Sequence, residues 1–201
     1  MIVSPYKTKI IPEPMSLLPF CQWLAETKGS TALHESLLMY PLTESIHVWA
    51  LTVFVGFAAA LDVRLLGWAM RRMRVSEVAR RLLPWMVAGF VVMIATGVLL
   101  FYAIPIRSYQ SVWFRFKVIL LILAGINAWV FHANIWRRVA AWDRDPVTPR
   151  SARVAGAASL VLWACIIFSG RMIAYNWFDC DRQPQPAFIN AAAGCVVEPR
   201  K

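Results

Sequence analysis

The chain has 201 residues, of which 59% are hydrophobic and 16% charged, and a net charge of +10 at pH 7. No soluble domain of that length needs so large an apolar share for its core, so a bilayer is the expected solvent. The basic balance does not point to nucleic acid, because no basic stripe with interleaved aromatics stands apart from the apolar segments.

Residues 1–14 contain proline and lack a helical period, and an irregular extension is expected there. In the arm 15–43, two short amphipathic stretches at 15–27 and 31–40 flank Gly29-Ser30 and read as helices lying in the outward membrane interface. Pro41 is expected to break the chain before it enters the bilayer. No basic region followed by a short apolar region and a small-residue cleavage site opens this stretch, so the first span is expected to direct insertion itself.

Four apolar runs follow at 45–70, 83–106, 112–136 and 154–178, each near the roughly 20 residues that cross about 30 Å of hydrocarbon. Lipid cannot satisfy free backbone amides, so the runs are expected to be helices. The fold class is therefore all-α: an integral membrane four-helix bundle over 44–178, preceded by amphipathic interfacial helices. The stretch from Arg64 to Arg81 carries six positive charges against Glu77, and that from Arg137 to Arg153 five against Asp143 and Asp145, so these two loops hold +8 of the net charge. Short Lys/Arg-rich loops stay in the cytoplasm. Both termini, including a tail at 179–201, are then expected on the periplasmic side of a bacterial inner membrane. Cys180 and Cys195 share that oxidising side and are expected to pair, with Cys21 as a rival partner; Cys165, in the middle of the fourth run, reads as an inert core residue.

Counting depth along the runs brings several polar residues to one level. His47 lies at the outer end of the first run, Lys117 about a turn into the third, and Arg171 near the outer end of the fourth, with Tyr102 and Tyr175 level with them and His34 and Glu44 just outside. Ionisable groups inside a bilayer usually face a bundle interior, a cavity or a partner. His47, Leu51, Phe54, Ala58, Asp62 and Leu65 fall within about 80° on a helix of 3.6 residues per turn, so His47 is expected to look inward. The inner half holds Asp62, Arg64, Asn127, His132 and Asn134. His47 and His132 cannot ligate one metal, because about 20 Å or more along the membrane normal separates them.

The strings ESIHVW, LDVRLLG, FRFK and SGRMIAY resemble an uncharacterised family of bacterial four-helix membrane proteins over roughly residues 15–178. More distantly, a histidine at the outer start of the first span and a lysine early in the third are similar to HemJ-type protoporphyrinogen oxidases and CopD-type copper-resistance proteins. The HemJ resemblance implies a haem-linked role for His47 and a catalytic one for Lys117. A b-type haem needs one or two axial imidazoles and cations for its propionates. His47 is the expected ligand and His34 the second, so both are the metal-binding candidates; Arg115, Arg171 and Tyr175 are available at the outer rim. The expected function is a periplasm-facing haem- or quinone-linked redox protein. The alternative is a non-catalytic membrane subunit that anchors a larger complex through its arm and tail.

Overall fold

The computed structural model describes residues 17–143, 145, 147–175 and 177–195, and the expected irregular extension at 1–14 lies outside them. The described residues are helical almost throughout. Four helices are long and apolar enough to cross a membrane: Met39–Leu66, Val75–Ala103, Val112–Trp142 and Arg150–Ile173. Their most apolar windows are only 11% to 28% buried within the protein, so most of that surface is left for lipid.

Two short helices come first, α1 (Leu18–Ala25) and α2 (Lys28–Glu35). Thr27 caps α2 by accepting from the Ser30 amide at 3.4 Å, so the turn between them is made by the sequence itself. The first spanning helix, α3 (Met39–Leu66), starts six residues before the expected run and contains Pro41. Pro41 does not break the chain as expected. It sits in the first turn, where its missing N–H would have had no intrahelical partner in any case. Gly67, at φ 74°, ends α3 in the left-handed conformation that a side chain would strain.

Helix α4 (Val75–Ala103) starts eight residues before its expected run and carries Pro84 in its interior. It stops where Ile104 leaves helical geometry ahead of Pro105, as the residue before a proline tends to do. A short helix α5 (Pro105–Tyr109) turns the chain into α6 (Val112–Val130). That span continues through a wide turn at Phe131–Ile135 and a tight one at Trp136–Arg138 into α7 (Val139–Trp142). Helix α8 (Arg150–Ile173) begins directly after Pro149, and α9 (Ala187–Ala193) lies in the tail.

All four spans contribute to one core, made by Ala50, Met93, Leu120, Ala124, Trp163 and Ile166. Small residues let the backbones approach, which is what holds helices together where no hydrophobic effect separates protein from lipid. Gly89 of α4 faces the α3 backbone, and Gly156 of α8 lies where an added Cβ would be 3.3 Å from the Asp62 carbonyl. Asn127 of α6 donates to the Ala155 carbonyl of α8 at 3.1 Å.

A second core of Leu65, Val75, Trp142 and Ala152 lies beneath the two arginine-rich loops, which are tied together by polar contacts. Arg64, only 6% exposed, donates through Nε and Nη2 to the Met73 carbonyl at 2.9 and 2.7 Å and through Nη1 to Thr148 at 3.4 Å. Asp143 caps α4 from the other loop, accepting from the Ser76 amide at 2.9 Å and from its hydroxyl. Partial burial pushes the Asp143 carboxyl up, but the Ser76 bonds and the Arg74 charge outweigh it and hold the group below the usual carboxylate range. A depressed carboxylate adds stability that is present above its unfolded value of about 3.9 and lost as the pH falls through the folded one. Asp143→Ala is expected to cost about 1 kcal/mol at neutral pH. Thermal unfolding of both proteins across pH should show the gap closing in acid below that value.

At the opposite end the arm and the tail are fastened to the span ends. Ser30 donates to the Tyr102 carbonyl at 2.7 Å, and the Tyr102 and Thr27 hydroxyls are 2.8 Å apart. Val112 N donates to the Phe178 carbonyl at 3.1 Å. Cys180 and Cys195 form a disulfide, while Cys21 is free and buried and so is not the partner.

Candidate functional site

His47 lies eight residues inside α3 and Thr96 seven inside α4, so these antiparallel helices bring the two to one depth. His47 Nδ1 is 3.0 Å from Thr96 Oγ1. The same hydroxyl donates to the Val92 carbonyl at 2.7 Å, with the Met93 carbonyl at 3.2 Å. A threonine hydroxyl has one hydrogen, and here the Val92 carbonyl takes it. With the hydroxyl hydrogen on Val92, the oxygen accepts from His47, which puts the ring proton on Nδ1 and the lone pair on Nε2.

That arrangement is built for a ligand or a base. A coordinating histidine usually donates its second ring N–H to a fixed acceptor, which sets the tautomer and the ring orientation. Gly97 keeps the ring uncrowded, since a Cβ there would come within 3.3 Å of His47 Cε1. Lys117, from α6, is near enough for its charge to act on His47, and among the described residues its Nζ makes no hydrogen bond or ion pair. Gly170 of α8 lies beside it, with an added Cβ 3.5 Å from Nζ. Four helices thus supply His47, Thr96, Lys117 and Gly170 to one place.

The other expected site residues are not part of it. Arg115 donates through Nε to the Tyr109 carbonyl at 2.9 Å and through Nη1 and Nη2 to the Ala192 and Ala193 carbonyls at 2.7 and 3.0 Å. Its guanidinium closes the end of α9 and holds the tail. Arg171 is exposed, donates to the Tyr175 hydroxyl at 3.2 Å and stacks over that ring at 4.9 Å. Tyr175 in turn stacks on Trp177 at 5.3 Å, so the pair belongs to an outward aromatic rim. His34 is exposed and meets Tyr40 edge-on at 6.2 Å. Tyr40 precedes His47 by seven residues, about 10 Å of helix, so the structure does not join the two imidazoles.

Thr96 was missed by sequence reasoning, although the depth count that found His47 and Lys117 would have reached it. At the inner end, Asn127 is engaged with α8, Asn134 donates to the Val130 carbonyl at 3.3 Å, and His132 is exposed. Asp62, 7% exposed, has Ser159 on one side, and its Oδ2 has no hydrogen-bond partner among the described residues.

Comparison with curated proteins finds no match, and comparison with solved structures finds none either. These comparisons therefore give no support to the likeness to HemJ-type and CopD-type proteins. A family model matches residues 33–176, which takes in all four spans and His47, Thr96 and Lys117 and leaves out α1 and the disulfide-closed tail. The chain belongs to this family, described as a family of unknown function (DUF6644).

Proposed function

We propose that this protein is a membrane redox protein that binds one b-type haem through His47 Nε2, with Lys117 as the cation beside it. The observation that carries the reading is the 3.0 Å contact between His47 Nδ1 and Thr96 Oγ1, which engages one ring nitrogen and leaves Nε2 as the coordinating one. The donor set suits a haem with a single protein imidazole, since neither His34 nor the two rim arginines join the site. When bound, haem supplies one-electron chemistry. The chain's own residues do the rest: His47 ligates, Thr96 aims it, Lys117 neutralises an anionic edge, and the apolar core below excludes water.

A quinone headgroup is the second occupant that these donors accept, with Lys117 donating to a carbonyl and His47 Nε2 accepting from a hydroxyl. We place the site on the periplasmic side of the inner membrane in a four-helix bundle with both termini outside. The arginine-rich loops at the opposite end support that orientation. So does the disulfide at the site's own end.

The test is an absorption spectrum of detergent-purified protein from haem-supplied cells, air-oxidised and then dithionite-reduced, with quinone extracted from the same sample. A Soret band with alpha bands that sharpen on reduction is the expected result. Quinone without a Soret band would replace haem in the reading. Neither would overturn the redox function and favour an anchoring subunit, a role the docked arm and tail outside the family match would suit.

A further inference from the structure

The arginine-rich end holds a hollow of about 290 Å³ lined by Arg74, Ser76, Glu77 and Arg80. Glu77 does not set its charge, because its carboxylate is paired with Arg81 at 2.7 Å. The α4 N-terminus does not either, because Asp143 already caps it. What remains are two exposed guanidinium groups, Arg74 and Arg80, whose side chains make no hydrogen bond or ion pair among the described residues, with the Asp143 carboxylate on Ser76 offsetting part of their charge.

The helix continues from this hollow as a lipid-facing track. Ser76, Arg80, Leu83, Val87, Val91, Ile94 and Val98 fall within about 80° of one another on a helix of 3.6 residues per turn. Leu83, Val87, Val91, Ile94 and Val98 are all exposed, at 55%, 51%, 59%, 44% and 62%. From Leu83 to Ile94 the apolar part rises about 16 Å, close to one leaflet of a hydrocarbon core about 30 Å thick. Two exposed guanidinium groups stand at one end of a straight apolar strip, in the span that crosses the bilayer.

We propose that Arg74 and Arg80 bind the phosphodiester headgroup of an anionic phospholipid whose acyl chain lies along the Leu83 to Ile94 face of α4. Basic hollows at the cytoplasmic ends of membrane helices attract such headgroups, each nearby arginine adding to the affinity. The strip distinguishes the occupant from a free phosphate ion, which would have no use for it.

Native mass spectrometry of the purified full chain, titrated with phosphatidylglycerol and with phosphatidylcholine, tests this. Wild type should retain phosphatidylglycerol preferentially, and Arg74→Gln/Arg80→Gln should weaken retention about tenfold. Arg137→Gln/Arg138→Gln, which removes the same charge from the other loop, should leave it within about twofold of wild type. Equal losses in the two double variants would overturn the site in favour of a diffuse basic face. Displacement of the lipid by millimolar sn-glycerol 3-phosphate or inorganic phosphate would overturn the acyl strip and assign a free-phosphate site. All four arginines are exposed, and unchanged thermal unfolding of both variants separates loss of binding from loss of fold.

Discussion

Gly89→Ala is expected to destabilise the fold by about 2 kcal/mol, a large effect for one methyl group. The added Cβ would sit 2.9 Å from the Phe54 amide nitrogen, 3.1 Å from the Ala50 carbonyl oxygen and 3.2 Å from Phe54 Cα. Those are backbone atoms of α3 and cannot swing aside as the end of a side chain does, so α3 and α4 must separate. Separation would cost contacts that radiate from the same place: Phe54 meets Phe90 at 5.3 Å and Trp163 at 4.8 Å, linking α3 to both α4 and α8. Gly56→Ala and Gly125→Ala provide the contrast. Nothing lies within 4 Å of a Cβ at either position, so both should be neutral or slightly stabilising through better helix propensity. Thermal unfolding of the three variants in one detergent checks the ranking, and a Gly89→Ala protein as stable as Gly56→Ala would show that these helices are not in backbone contact.

How far the chain could be read without coordinates follows from what a sequence encodes about a membrane helix. Depth is legible, because residues count off at about 1.5 Å each from a recognisable end. That count placed His47 and Lys117 at the outer end, and the structure brings them into electrostatic range. The Cys180–Cys195 pair was legible too, from its place in one tail. Azimuth is much less so. In a span that is apolar all round, no polar face says which side looks inward, and the expected rim around Lys117 shows the consequence. Arg115 and Lys117 are two residues apart, about 200° around the helix, so both cannot face one site. The structure resolves the choice, sending Arg115 to the carbonyls at the end of α9 and Lys117 toward Gly170. Arg171 is offset from Gly170 by about 100° in the same way and goes to Tyr175 at the surface. The span starts were misjudged for a different reason. Hydropathy finds where apolar residues begin, whereas Ser36, capping the Met39 amide at 3.0 Å, and Asp143, capping α4 from 67 residues away, set where helices begin.

Thr96 provides the sharper test of the proposed haem site, because its role is positional and removable with little change of shape. His47→Ala should abolish the haem bands outright, but so would any large disturbance at that depth, and the loss alone does not separate ligation from packing. Thr96→Val keeps the branched outline and removes only the oxygen that accepts from Nδ1. Outer-shell partners of a ligating histidine typically change affinity by about 10-fold to 100-fold, and about tenfold weaker haem binding is the expected result. Thr96→Ser restores the acceptor without the methyl group and should recover most of the affinity. Its hydroxyl retains the Val92 carbonyl, four residues back, as its own acceptor. The measured quantity is haem affinity by titration of the apoprotein, together with the Soret position, which reports the basicity of the axial imidazole. If Thr96 only fills space between α3 and α4, valine should bind haem as well as threonine does and serine should be the worse of the two. The opposite order, serine above valine, follows if the hydroxyl oxygen holds the imidazole at Nδ1, because that oxygen is the one feature that threonine and serine share and valine lacks.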